Sequence, residues 1–212
     1  MSAFPWLEFA GLMLAFGIGA VSPGPDFAMV LRQAIAHGRR AAILTSAGIA
    51  SALVVHGTYT ILGIGLIVAN SLLAFTILKF VGAAYLLFLG ISALRAPAPK
   101  PPSDLDAPAR QEMNDLKAWT IGFLTNLLNP KAVLFFLSLF TTLTSAATPL
   151  ATKGFYVATM SVLLFAWFAL VSFFFTTPAV RGAFYRMGQW FNRATGAALI
   201  FLAITVAITR RS

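Results

Sequence analysis

Residues 22–26 read Ser22-Pro23-Gly24-Pro25-Asp26, and they end an apolar run that begins near residue 5. Proline has no N–H, and its ring clashes with the preceding helical turn. Each proline also drives the residue before it out of the helical region. In a helix, Pro23 and Pro25 therefore leave the carbonyls of Gly19 and Val21 without their usual partners. Gly24 lets the backbone bend at little steric cost. The chain breaks here, and a new helical stretch can start at Asp26, where an acid suits the positive end of a helix. In water this is an ordinary turn. In a membrane, broken backbone survives only where protein or a water-filled cavity covers it.

Composition puts the run in a membrane. The 212 residues are 59% hydrophobic and 10% charged, with a mean hydropathy of +0.85. That is too apolar for a soluble domain and fits a polytopic membrane protein. The first 20 residues carry no Lys or Arg and no clear small-residue cleavage site, so no signal peptide is expected. The absence of Cys excludes disulfides, thiol redox chemistry and thiolate metal sites. The net charge of +9 sits in short loops between apolar spans, which points to anionic lipid headgroups and not to nucleic acid.

A span needs about 20 apolar residues. The sequence offers six: 5–25, 43–68, 71–94, 119–144, 154–177 and 190–209. The polar interruption at 96–117 holds Pro97, Pro99, Pro101, Pro102 and Pro108 with four acids, and reads as an extended loop with a short amphipathic helix over 108–117. Trp6, Trp119 and Trp190 lie near span ends, as interfacial anchors do. The odd-numbered loops carry ten Lys and Arg, among them Arg32, Arg39, Arg40, Arg181, Arg186 and Arg193, against three in the outer segments. By the positive-inside rule both termini lie outside and the Pro-rich loop is cytoplasmic, with Arg210 and Arg211 pulling the other way.

The chain also looks doubled. Lys79 is followed three residues later by Gly82-Ala83-Ala84 and an apolar run, and Arg193 by Gly196-Ala197-Ala198 and another. The break at Pro25-Asp26 has a counterpart at Asn129-Pro130-Lys131. Both pairs stand about half a chain apart. The expected fold is an all-α polytopic membrane protein of six transmembrane helices, arranged as two inverted three-helix repeats (1–95 and 118–212), with helices 1 and 4 broken by Pro. Inverted repeats with helices broken in matching places mark transporters whose site lies between the halves.

Charges within spans cost about 2.5–3.5 kcal/mol at a helix centre and should face the bundle interior. Asp26 and Lys131 sit at the two breaks, where together they could hold the ammonium and carboxylate of a zwitterion, or form a salt bridge that substrate displaces. Asp26 could also exchange protons. The plainer alternative is that Asp26 only caps the helix that follows and Lys131 snorkels or contacts freed carbonyls. Pro130 frees the Asn126 carbonyl, so Asn126, Asn129 and the broken backbone form one polar cluster. His56, among Ser46, Gly48, Ser51, Gly57, Thr58 and Tyr59, reads first as an interhelical hydrogen-bond partner and second as a proton relay. Lys79 can snorkel to the outer interface, and Glu8 lies close enough to the surface to need no role. Gly48, Gly57, Gly63, Gly65, Gly82, Gly90 and Gly196 read as close helix contacts. These small-residue faces can pack within a protomer or between protomers of a homo-oligomer.

Taken together, Ser22-Pro23-Gly24-Pro25-Asp26, His37-Gly38, Gly48, Lys79-x-x-Gly82-Ala83-Ala84-Tyr85-Leu86 ending at Gly90, and Asn126-x-x-Asn129-Pro130-Lys131 with Phe135-Phe136 resemble the LysE/RhtB amino-acid exporters. The resemblance covers nearly the whole chain in the right order. It implies a six-span permease of the bacterial inner membrane that exports amino acids such as lysine, homoserine, threonine or leucine with the proton motive force. It carries over to Asp26, Asn129, Pro130, Lys131, Lys79, Gly82 and Tyr85.

The leading expectation is secondary export of an amino acid by alternating access, with Pro23, Gly24, Pro25, Asp26, Asn126, Asn129, Pro130, Lys131, His56, Lys79 and Tyr85 as substrate or proton residues. No catalytic residue, metal or cofactor is expected. Export of a metal cation is disfavoured, because hard cations want several oxygen ligands and Asp26 is the one well-placed acid. A membrane-embedded enzyme would use Ser22, Ser51 or His56, and a nucleophile needs a base within hydrogen-bond reach. Ser51 and His56 lie on different helix faces. A structural subunit of a larger complex is the third possibility.

Overall fold

The computed structural model describes residues 4–97, 113–175 and 178–208. These residues form eight helices and no strand: α1 (Trp6–Val21), α2 (Pro25–Ala36), α3 (Arg39–Asn70), α4 (Leu72–Arg95), α5 (Asp115–Leu127), α6 (Pro130–Leu143), α7 (Leu150–Phe174) and α8 (Pro178–Ile208).

Both breaks fall at the prolines, and by one device. α1 ends at Val21; Ser22 turns extended, its N–H reaching only the Gly19 carbonyl at 3.2 Å. Gly24 is extended, and α2 restarts with Pro25 in its first turn, where the missing N–H costs nothing. α5 ends at Leu127, Asn129 turns extended with its N–H on the Asn126 carbonyl at 3.0 Å, and α6 restarts with Pro130, the Asn129 side-chain oxygen capping the Lys131 N–H at 3.0 Å. The α1–α2 pair bends by 54° and the α5–α6 pair by 60°.

The break thus lies inside the first helical pair, because α2 continues to Ala36. Arg32, assigned to a loop from its charge, is a helical residue. The turn back is made at Gly38, whose φ of 87° is the left-handed backbone that glycine alone adopts freely, and Arg39 and Arg40 open α3. α8 likewise starts well before the expected 190–209, taking in Arg181 and Arg186. Residues 98–112 of the Pro-rich loop, and Arg210 and Arg211, lie outside the described residues. Where the description resumes, residues 115–117 are the first turn of α5, capped by Asn114, and not a separate helix.

Three stretches, Arg39–Gly63, Thr76–Arg95 and Leu150–Phe174, are each long and apolar enough to cross a membrane, and each bent pair passes the same test as one span. α3 packs between α5 and α7, and α4 between α6 and α8. The α3–α5 crossing is tight: a Cβ on Gly48 would land on the Trp119 carbonyl, and one on Gly122 on the backbone of Thr45. Thr45 Oγ1 donates to the Ala118 carbonyl at 3.0 Å across the same crossing. Leu12, Val30, Ile49, Leu86, Phe136 and Met160 fill the core. Leu7, Leu73, Phe88, Val162 and Phe201 stay largely exposed on the outside. Such a girdle is untenable in water and natural against lipid tails.

Candidate functional site

The two breaks meet. The cavity between them, about 60 Å³, is lined by Ser22, Gly24, Pro25 and Asp26 from the first break and by Asn126, Asn129 and Lys131 from the second. His56 of α3 joins them. That is room for a few waters.

Asp26 stands in the first turn of α2 yet makes no capping bond. Its carboxylate turns across the cavity instead. It accepts from Asn126 Nδ2 at 2.9 Å and from Asn129 Nδ2 at 3.5 Å. The plain capping reading therefore does not describe Asp26. Asn129 serves both breaks at once, its oxygen on the Lys131 N–H and its nitrogen on Asp26. Lys131 points the same way. Its Nζ donates to Ser22 Oγ at 3.4 Å, and a Cβ on Gly24 would meet it at 3.4 Å. Among the described residues no ion pair within 4 Å joins Asp26 to Lys131. The opposite charges face one space and leave it open between them.

Asn126 is nearly fully buried. Its Nδ2 must face Asp26, because a carboxylate accepts and does not donate. Its Oδ1 is then left as a buried acceptor with no partner. The Asn126 main-chain carbonyl, freed by Pro130, takes the Asn129 N–H at 3.0 Å and faces His56 Nε2 at 3.2 Å. A carbonyl only accepts, so Nε2 carries the hydrogen, and in neutral His56 the Nδ1 atom accepts from the Tyr59 hydroxyl at 2.7 Å. His56 is thus an interhelical partner that braces the second break from α3.

The rest of the wall is apolar: Phe16, Leu53, Phe135, Phe136, Leu164 and Phe168. Sequence reading did not place these side chains, apart from Phe135-Phe136 within the family pattern. No signal separates a cavity-lining Phe from a lipid-facing one in so apolar a chain. Tyr59 was legible, since it lies one turn from His56 on the same face. Tyr85 lies on α4, packed against the core and not on the cavity wall. Lys79 is a residue of α4, and its side chain lies outside the described residues. Pro23 and Pro130 bend the chain and are not part of the wall. Ser51 Oγ donates to its own helix at the Ala47 carbonyl, 2.8 Å away, so it makes no pair with His56.

Glu8 differs from expectation. It is buried, and its carboxylate accepts from the Ser145 N–H at 2.9 Å and the Thr148 hydroxyl at 2.9 and 3.0 Å. Lys153 is buried nearby and feels its charge.

Helices long and apolar enough to cross a membrane, with two bent pairs interrupted so that main-chain polar groups and charges surround an internal cavity, define a helical membrane transport protein. The chain belongs to the LysE type translocator family, whose family model matches residues 17–210. It is 29% identical to a threonine efflux protein of Salmonella typhi, over 94% of this chain and all of that one. It is 28% identical to the threonine efflux protein of Escherichia coli, over 91% of this chain and 94% of that one. A homoserine/homoserine lactone efflux protein of Salmonella typhimurium is 34% identical over 65% of this chain and 64% of its own. No solved structure matches it.

Proposed function

We propose that the protein exports amino acids from the cytoplasm across a bacterial inner membrane, binding each one between the two helix breaks. The carrying observation is that Asp26 and Lys131 face one cavity without closing on each other. A zwitterion complements that arrangement. Its ammonium would bind Asp26 and the unpartnered Asn126 Oδ1, and its carboxylate would bind Lys131 beside the positive N-terminal end of α6. Fixing both charged ends in one orientation leaves the substrate side chain against the apolar wall. The names of the efflux relatives point the same way.

The two halves are read as inverted repeats, each beginning with a broken helix, that alternate access to the site. Asp26 is the residue through which protons would drive the cycle. On this reading the Pro-rich loop is cytoplasmic and both termini lie outside. The test is flux into and out of proteoliposomes over a panel of labelled amino acids, with and without a proton gradient. Specific flux of at least one is expected. Flux of none of them would sink the reading.

A further inference from the structure

Away from the cavity, the two halves of the bundle pack unequally at matching positions. At the spacing that relates Pro25 to Pro130, Gly17 of α1 corresponds to Gly122 of α5. At the spacing that relates Lys79 to Arg193, Thr45 of α3 corresponds to Thr159 of α7. The α1–α7 crossing is therefore the counterpart of the α3–α5 crossing and shares its glycine and threonine, with Leu14 and Val162 where the other has Trp119 and Gly48.

The α3–α5 crossing is shut. Gly122 lies on the Thr45 backbone, Thr45 donates across to Ala118, and Arg40 grips Asp115 with two bonds of 2.9 and 2.6 Å. On the other side the matching glycine and threonine make no contact of this kind. A Cβ on Gly17 would meet nothing within 4 Å. Thr159 Oγ1 donates back to Phe155 of its own helix at 2.9 Å. Glu8 and Lys153, the acid and the base in the first turns of α1 and α7, form no ion pair within 4 Å among the described residues. α1 and α7 meet instead through rings, with Phe9 5.8 Å from Phe155 and 5.6 Å from Tyr156, centroid to centroid. A glycine inside a helix weakens it unless close approach repays the loss, and in this state Gly17 finds no such approach.

We propose that the α1–α7 crossing is a second gate, and that Gly17 and Thr159 are the residues on which it closes when the α3–α5 crossing opens. This rests on the inverted-repeat export reading. When inverted halves rock against each other around a fixed site, one crossing closes as its counterpart opens. Gly17 lets α7 approach α1, Thr159 turns from its own carbonyl to one on α1, and Lys153 closes on Glu8. These residues act on export without touching the substrate.

The chain has no cysteine, so an introduced pair reads the gate directly. At the same spacings Leu14 and Val162 correspond to Trp119 and Gly48, which touch. Leu14 is 69% exposed here and Val162 66%, so replacing them removes no core packing. The double variant Leu14→Cys/Val162→Cys in membrane vesicles should form a disulfide on oxidation, and amino-acid flux should fall below about a tenth until reductant restores it. Folded protein that never cross-links, with or without an amino-acid gradient, would overturn the gate. Gly17→Leu is the second variant. A Cβ there meets nothing within 4 Å, so a purely structural role predicts little effect, whereas a gate predicts at least a tenfold loss of flux in protein that still folds. Full flux would overturn the proposal. If the unaltered protein moves no amino acid, the export reading fails, but cross-linking still decides whether the gate closes.

Discussion

Asn126 Nδ2 donates to Asp26 Oδ2 at 2.9 Å, and this bond ties the second helix break to the first. The partners are 100 residues apart in the chain. Each is where it is because a proline has interrupted its helix. Pro25 starts α2 one residue before Asp26, and Pro130 ends the run of helical bonds at Asn126. The prolines therefore do two things together: they expose backbone, and they aim side chains from separate halves at one space. The bond also settles which way Asn126 faces, and so leaves its buried oxygen without a partner.

Asn126→Leu should leave the backbone break in place, because Pro130 makes it, while removing the donor to Asp26 and the spare acceptor. A hydrogen bond to a charged group contributes about 1.5–3 kcal/mol, so flux per folded molecule should fall about 10- to 100-fold. The measurement is initial export rate normalised to the amount of monodisperse purified protein. An unchanged rate would show that the tie between the breaks is not part of the site.

Asp26→Ala and Lys131→Ala should each abolish export and leave folded protein in the membrane. Among the described residues neither charge is held in an ion pair within 4 Å, so removing one strands no opposite charge, and cavity water can reach the Asn126 Nδ2 that Asp26→Ala leaves without its acceptor. Both face a cavity that can admit water, so their loss costs the fold little. Substrate binding by scintillation proximity or calorimetry should weaken for both, through the ammonium end for Asp26 and the carboxylate end for Lys131. If an amine lacking the carboxylate loses affinity on Lys131→Ala as strongly as the parent amino acid does, the assignment of ends is wrong.

Much of this site was legible in the sequence because proline acts locally. Pro23, Pro25 and Pro130 each remove one N–H and one conformation, whatever surrounds them, and Asp26 and Lys131 stood out as charges in apolar runs. The extents of the helices were not legible. Hydropathy follows side chains, whereas a helix continues wherever its backbone can bond, so α2 runs on through Arg32 and Gln33, and α8 begins among arginines. Glu8 was misread for a related reason. Its partners Ser145 and Thr148 arrive from the loop between α6 and α7, and nothing near Glu8 in the chain announces them.

Glu8→Ala should therefore destabilise the protein. It leaves the Ser145 N–H and the Thr148 hydroxyl without their acceptor, and such losses cost about 1–3 kcal/mol each when the group stays buried. Thermal unfolding in detergent should begin several degrees lower than in the unaltered chain. Glu8→Gln, which keeps an acceptor oxygen, should recover part of the difference. Equal stability of all three proteins would mean that water replaces the carboxylate at no cost.

Pro130→Ala tests whether the break itself matters, apart from any charge. Alanine restores an N–H whose natural acceptor is the Asn126 carbonyl, four residues earlier. That carbonyl is held by the Asn129 N–H and the His56 ring, at 3.0 and 3.2 Å. A continuous helix would take it back, release His56 and swing Asn129 away from Asp26. The 60° bend should shrink, and spin labels placed near the ends of α5 and α6 should move apart. Export should drop even though every charged and amide side chain of the site is still present. Normal export with a straightened helix would make the bend incidental. Normal export with the bend intact would show that Asn129 and the packing around it hold the break without proline.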